Sequence, residues 1–75
     1  MMTPNSFIAA RNAAFVKGDI EWARKLLPAG ADTEVVEAAF HKARAACSHA
    51  PRKLRRESRE WLAQHGYRPL HGGVA

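Results

Sequence analysis

The stretch Gly18-Asp19-Ile20-Glu21-Trp22-Ala23-Arg24-Lys25-Leu26-Leu27-Pro28-Ala29-Gly30-Ala31-Asp32 decides how this chain is read. Gly18 ends one helix, and Asp19 is placed to cap the next, where its carboxylate accepts from free backbone N–H groups and meets the positive end of the helix dipole. Ile20, Ala23, Leu26 and Leu27 recur at helical spacing and predict a buried stripe. Pro28 has no N–H, and its ring crowds the carbonyl of Arg24, so it ends or distorts this helix. Gly30 suits the left-handed turn that follows.

Three further helices fit the spacing on either side. The first opens at Thr3, with Pro4 at its first position, or at Asn5 or Ser6, and runs to about Lys17. Ile8, Phe15 and Val16 give it an apolar side, and Ala9, Ala10, Ala13 and Ala14 let a neighbour approach closely. The third begins near Asp32 or Thr33 and ends before Pro51. It sets Val36, Ala39, Phe40, Ala43, Ala46 and Cys47 on one face and Glu34, Glu37, His41, Arg44 and Ser48 on the other. In the fourth, started by Pro51 and closed by Gly66, Leu54, Ser58, Trp61, Leu62 and His65 share a face, with Tyr67 positioned to fold back onto Leu62. No run of alternating β-branched residues competes with helix. The expected fold is all-α, a small compact bundle of about four helices in two antiparallel pairs. Residues 1–67 form a single helical domain, and residues 68–75, with Pro69, Gly72 and Gly73, read as a flexible tail.

Gly18, Ile20, Glu21, Leu26, Leu27, Gly30, Ala31 and Asp32, with Ala14 before them, resemble the second helix and exit of an ankyrin repeat. A weaker echo follows, with Ala39-Phe40-His41-Lys42-Ala43 similar to a first-helix motif and Trp61-Leu62-Ala63-Gln64-His65-Gly66-Tyr67 to a second helix and glycine exit. The chain departs from the pattern at Pro28, in lacking a Thr-Pro-Leu-His opening before Ala14, and in a link from Asp32 to Phe40 too short for the usual β-finger. Residues 44–56 also exceed the normal spacing. The resemblance implies degenerate helix pairs that bind protein through exposed helix and loop surfaces, with no chemistry and no cofactor.

Seventy-five residues make one domain that hides about 60% of the surface its unfolded chain exposes, too little for a deep catalytic cleft. The formal charge of +5 is unevenly spread, with four basic and five acidic side chains in residues 1–40 against eight basic and two acidic in residues 41–75. Such a field attracts polyanions or an acidic protein face, although a solvated surface that keeps a small protein soluble has the same composition. The single Cys47 forms no intramolecular disulfide, the N-terminus lacks the features of a signal peptide, and no apolar run reaches a membrane span. These features point to the cytoplasm, with no membrane partner.

The candidate partner-binding residues are basic. Arg52, Arg55, Arg56 and Arg59 line one side of the fourth helix beside Lys53, offering forked donors suited to carboxylates and phosphates. Glu57 and Glu60 are spaced to pair with Lys53 and Arg56 one turn away, and Lys42 and Arg44 extend the patch if the third and fourth helices are neighbours. Trp22, at the edge of its stripe beside Arg24 and Lys25, is a second contact candidate, since a part-exposed ring among cations anchors partners well. A helix-turn-helix reading of Gly30 to Val36 is opposed by Glu34 and Glu37, which would face DNA phosphates. Cys47, His41, His49, His65 and His71 lack the paired spacing of a zinc site, and Cys47 falls on an apolar face where a thiol is inert. His65 is placed as a donor at the carbonyl end of its helix.

These observations predict a small non-enzymatic interaction module without cofactor or metal, which modulates or inhibits a larger protein bearing an acidic surface. Nucleic-acid backbone binding through the same arginines is the alternative. Homo-oligomerisation is a further possibility raised by the few core-filling side chains.

Overall fold

The computed structural model describes residues 4–67, with side chains from Ser6 onward; the reading of residues 68–75 as a tail and the placing of Thr3 and His71 lie outside the described residues. The chain is all-α: α1 (Pro4–Lys17), α2 (Glu21–Arg24), α3 (Thr33–Ala46) and α4 (Arg52–Gln64) follow one another, with no strand among the described residues. Pro4 takes the first helical position, where a missing N–H costs nothing. At the far end Gly18 adopts φ 72° and the Asp19 N–H returns to the Ala14 carbonyl at 2.9 Å, the six-residue closure that satisfies a terminal carbonyl. Gly66 (φ 83°) ends α4 in the same way, with Tyr67 N–H on the Leu62 carbonyl at 2.8 Å and Gly66 N–H on that of Ala63.

The second helix is shorter than the spacing of Ile20, Ala23, Leu26 and Leu27 predicts. Regular α-helix covers only Glu21–Arg24, after which Leu26 N–H bonds Ala23 and Leu27 N–H bonds Arg24, each three residues back. The cause is Pro28, which has no N–H to give the Arg24 carbonyl, so the chain tightens and Leu27 takes that acceptor. The stripe is broken with it: Ala23 is buried, Ile20 and Leu27 are half-buried, and Leu26 is 57% exposed. Asp19 does act at the helix start, its carboxylate accepting from Glu21 N–H at 3.1 Å.

Phe15, Ala23, Val36, Phe40 and Ala50 form the core, with Ile20, Trp22, Leu27, Ala31, Ala39, Ala43 and Cys47 packed around it. Phe15 meets Phe40 edge-to-face at 5.8 Å and Trp22 at 5.4 Å, so one ring from α1 ties the first half of the chain to α3. Full burial of Phe15 and of Phe40 each contributes about 1.5–3 kcal/mol.

α3 is the central element, packed on α2 along one side and on α4 along another. Its faces therefore do not divide into buried apolar and solvated polar, as the spacing alone predicts. Ala46 is exposed, whereas Arg44 is 5% exposed and His41 half-buried, because the flank carrying them is covered by α4. Arg44 meets Ser58, while His41, earlier in α3, also meets Trp61, later in α4, so the two helices run antiparallel.

Candidate basic interface on the fourth helix

α4 starts at Pro51, whose carbonyl accepts the Arg55 N–H at 3.0 Å, and no side chain caps the helix or places an acid in its first turn. At 3.6 residues per turn, Ser58 and Leu62 face inward and are buried, Leu54, Arg55 and Trp61 lie along the rims, and Arg59, Arg52 and Arg56 run from one flank round to the outer side. These three, with Lys53, are exposed and together bound a concavity of about 220 Å³.

Among the described residues none of these four cations enters an ion pair; Arg24 with Glu21, at 2.8 Å, is the pair present. Glu57 and Glu60 thus do not neutralise Lys53 and Arg56 as their spacing predicts. Exposed pairs of this kind contribute only about 0.3–0.5 kcal/mol, which does not compensate well for holding two long side chains still. The consequence is an electrostatic face left open to solvent and to anything anionic in it.

The other predicted contact residues separate from this group. Arg55 sits at the rim, half-buried, with its Nε enclosed and without a hydrogen-bond partner among the described residues. Lys42 is exposed but stands over the Tyr67 ring at 5.3 Å, by the C-terminal end of α4 and away from Arg52 and Lys53. Trp22 is half-buried against Phe15 and Phe7, and borders an apolar groove with Ala10, Lys25 and Leu26. It is a separate surface.

Arg44 is a correction of a different kind, since it belongs to the interior. Its Nε donates to Ser58 Oγ at 2.6 Å, a second guanidinium nitrogen donates to the Phe15 carbonyl at 3.1 Å, and the group lies over the Phe40 ring at 5.1 Å. Burial lowers its pKa from the ordinary guanidinium value, partly offset by the charge of Glu57. A cation used this way is unavailable to a partner. It ties α1, α3 and α4 together through hydrogen bonds to a charged donor.

His41 completes this network, its Nδ1 2.9 Å from the same Ser58 Oγ. The Ser58 hydroxyl, which accepts from Arg44, is thus shared by both α3 side chains. Burial, then the charges of Arg44 and His65, lower the His41 pKa to about 4. Serine and histidine at this distance are also the start of a nucleophile–base pair, yet Ser58 is wholly buried and its hydroxyl oxygen is already held by the Arg44 cation. The arrangement is a structural lock. The sequence places Ser58 on the apolar face of α4 and His41 and Arg44 three residues apart on α3, which is the signal that could have found it.

Around the lock runs a series of rings. Trp61 stacks on His41 at 4.5 Å and on His65 at 3.9 Å, and lies parallel to Tyr67 at 6.0 Å. His65 Nδ1 is 2.8 Å from the Trp61 carbonyl, a helix-end contact of the kind its position predicts. Cys47 is a free, half-buried thiol and His49 is exposed. Among the described residues no three His, Cys, Asp or Glu side chains are grouped to hold a metal, and no helix is long and apolar enough to cross a membrane.

Comparison with known proteins returns no match to this chain among protein families, curated proteins or solved structures.

Proposed function

We propose that this chain is a small, non-enzymatic protein–protein interaction module of the cytoplasm, which modulates or inhibits a larger partner by laying the outer face of α4 against an acidic surface. One observation supports this above the others: Arg52, Lys53, Arg56 and Arg59 bound a single concavity, and none of them is engaged in an ion pair among the described residues. Like charges gathered on one helix repel, so the arrangement is unfavourable in isolation and is relieved by an anionic partner. The likeness of Gly18 to Asp32 to an ankyrin-repeat exit points the same way, as an argument by analogy for a binding scaffold.

The experiment is affinity capture from the native cell with the wild-type chain and with R56E/R59E. Arg56 and Arg59 are chosen because both are exposed, whereas a carboxylate at the half-buried position 55 would perturb the fold as well. The proposal expects a protein that wild type retains and the variant loses, at an unchanged melting temperature. Identical capture by both chains contradicts it. Recovery of nucleic acid instead, with retention falling steeply as salt rises, replaces it by phosphate-backbone binding through the same arginines.

A further inference from the structure

Resting on the reading of α4 as the partner-binding face, we infer that the concavity bounded by Arg52, Lys53, Arg56 and Arg59 receives a phosphoryl group of the partner, carried on a phosphorylated serine or threonine within an acidic segment. Shape is the first reason. The carboxylates of a folded acidic surface are spread over it and meet a helix side by side, whereas this site is concave, about 220 Å³, with cations on its boundary. A phosphate monoester concentrates about −1.5 to −2 charges and three strong acceptor oxygens on one centre. Forked guanidinium donors on Arg52, Arg56 and Arg59 suit such a concentration of charge and acceptors, and Lys53 adds a point charge.

The second reason is the environment at the start of α4. Arg52 and Lys53 occupy its first turn, no acid shares that turn, and no side chain caps the free N–H groups there. The backbone therefore adds positive potential of the same sign as the side chains. None of these donors is consumed by Glu57 or Glu60.

Extent is the third reason, and it separates a phosphorylated segment from a nucleic acid. Arg52 to Arg59 covers about 10 Å along the helix axis, enough for one phosphoryl group and its flanking carboxylates and short of a track for a strand of phosphates. Among the described residues no aromatic ring lies in cation–π contact with Arg52, Lys53, Arg56 or Arg59. The aromatic residue of α4, Trp61, is on roughly the opposite side of the helix, held between His41 and His65 contacts. Hydrogen-bond donors without a stacking platform recognise a phosphate and its immediate acidic context.

The test is fluorescence anisotropy of three labelled probes with the full chain: an acidic nine-residue peptide carrying one central phosphoserine, the same peptide with two aspartates added in place of the phosphate charge, and a single-stranded uridine RNA of equal charge. The phosphopeptide is expected to bind about tenfold tighter than the charge-matched peptide, a difference that R56Q/R59Q abolishes and K17Q/K25Q retains, with unchanged melting temperatures throughout. Equal affinity for the two peptides, sensitive to R56Q/R59Q, overturns the phosphoryl inference and leaves the acidic-partner reading standing. Tighter binding of the RNA overturns both. No binding of any probe also counts against both.

Discussion

The two halves of the molecule use their residues in opposite ways. The α1–α2 half is the more apolar, yet Phe7, Ile8, Val16 and Leu26 are each more than two-fifths exposed, since among the described residues α1 has only the one-turn α2 packed beside it in its own half. The α3–α4 half carries most of the charge, yet it buries Arg44 and Ser58 completely enough to exclude solvent and stacks Trp61 on two histidines. Burial here follows what each element packs against rather than how apolar it is. Two kinds of arginine result on neighbouring helices: Arg44, whose donors hold the fold together, and Arg52, Arg56 and Arg59, whose donors meet no side-chain or ion-pair partner among the described residues.

The largest effect that sharpens this contrast comes from truncating one ring in each half. Phe40→Ala should cost about 3–5 kcal/mol, since Phe40 is fully buried against Phe15, whereas Phe7→Ala, 41% exposed, should cost about 1 kcal/mol or less. Urea titration of both variants checks the ratio, and similar losses would mean that α1 is packed as firmly as α3. Arg44→Met keeps much of the side-chain volume but leaves the Phe15 carbonyl without its donor and Ser58 with one partner fewer. It should cost about 2–3 kcal/mol in the same titration.

Acid should loosen the α3–α4 seam specifically. His41 titrates near 4 in the folded chain and near its ordinary value of 6.5 when unfolded, so between those values the unfolded state binds more protons and stability falls as pH falls. Above 6.5 this contribution is fully present, and below about 4 it is spent. The ring is only partly buried, so solvent screening reduces the loss to about 1–2 kcal/mol. Denaturant midpoints of wild type and H41Q from pH 7.5 to pH 4 should converge; parallel curves would remove His41 as the cause.

Smaller effects are expected at the helix exits and on the outer face. Gly18→Ala and Gly66→Ala should each cost about 1 kcal/mol through the positive φ alone, because nothing lies within 4 Å of the added methyl. R56Q/R59Q should leave stability within about 0.5 kcal/mol of wild type or raise it slightly, as expected for exposed, mutually repelling charges. Thermal melts of these three variants place them in that order.

Much of this was legible in the residues, and the reasons for the exceptions are physical. Gly18, Pro51 and Gly66 announce helix boundaries because they act on their own backbone, and the resulting fold is all-α with α1, α3 and α4 near the expected limits. Pro28 announces a break too, but a break does not say how many preceding residues lose their α-helical bonds, so the spacing predicts a buried Leu26 where the residue is exposed. Arg44 and His41 depart from the expected solvated face for another reason. Helical periodicity sorts residues into faces without saying how many faces a central helix buries, and α3 buries both the Phe40 side and the His41–Arg44 flank. In the candidate interface, the cation spacing on α4 was readable from 3.6-residue geometry. The rim position of Arg55 follows from the same geometry, whereas the failure of Glu57 and Glu60 to pair depends on side-chain directions that no periodicity encodes.

The division between structural and available arginines is tested most directly by solvent exchange of the guanidinium Nε–H groups, followed by nitrogen-15 NMR near neutral pH on the unliganded chain. Arg44 Nε–H, buried and bonded to Ser58 at 2.6 Å, should exchange slowly and report its signal well separated from the rest. Those of Arg52, Arg56 and Arg59 should exchange as fast as in a free peptide. Slow exchange at Arg56 and Arg59 would mean that the fold itself consumes them, and would contradict the account.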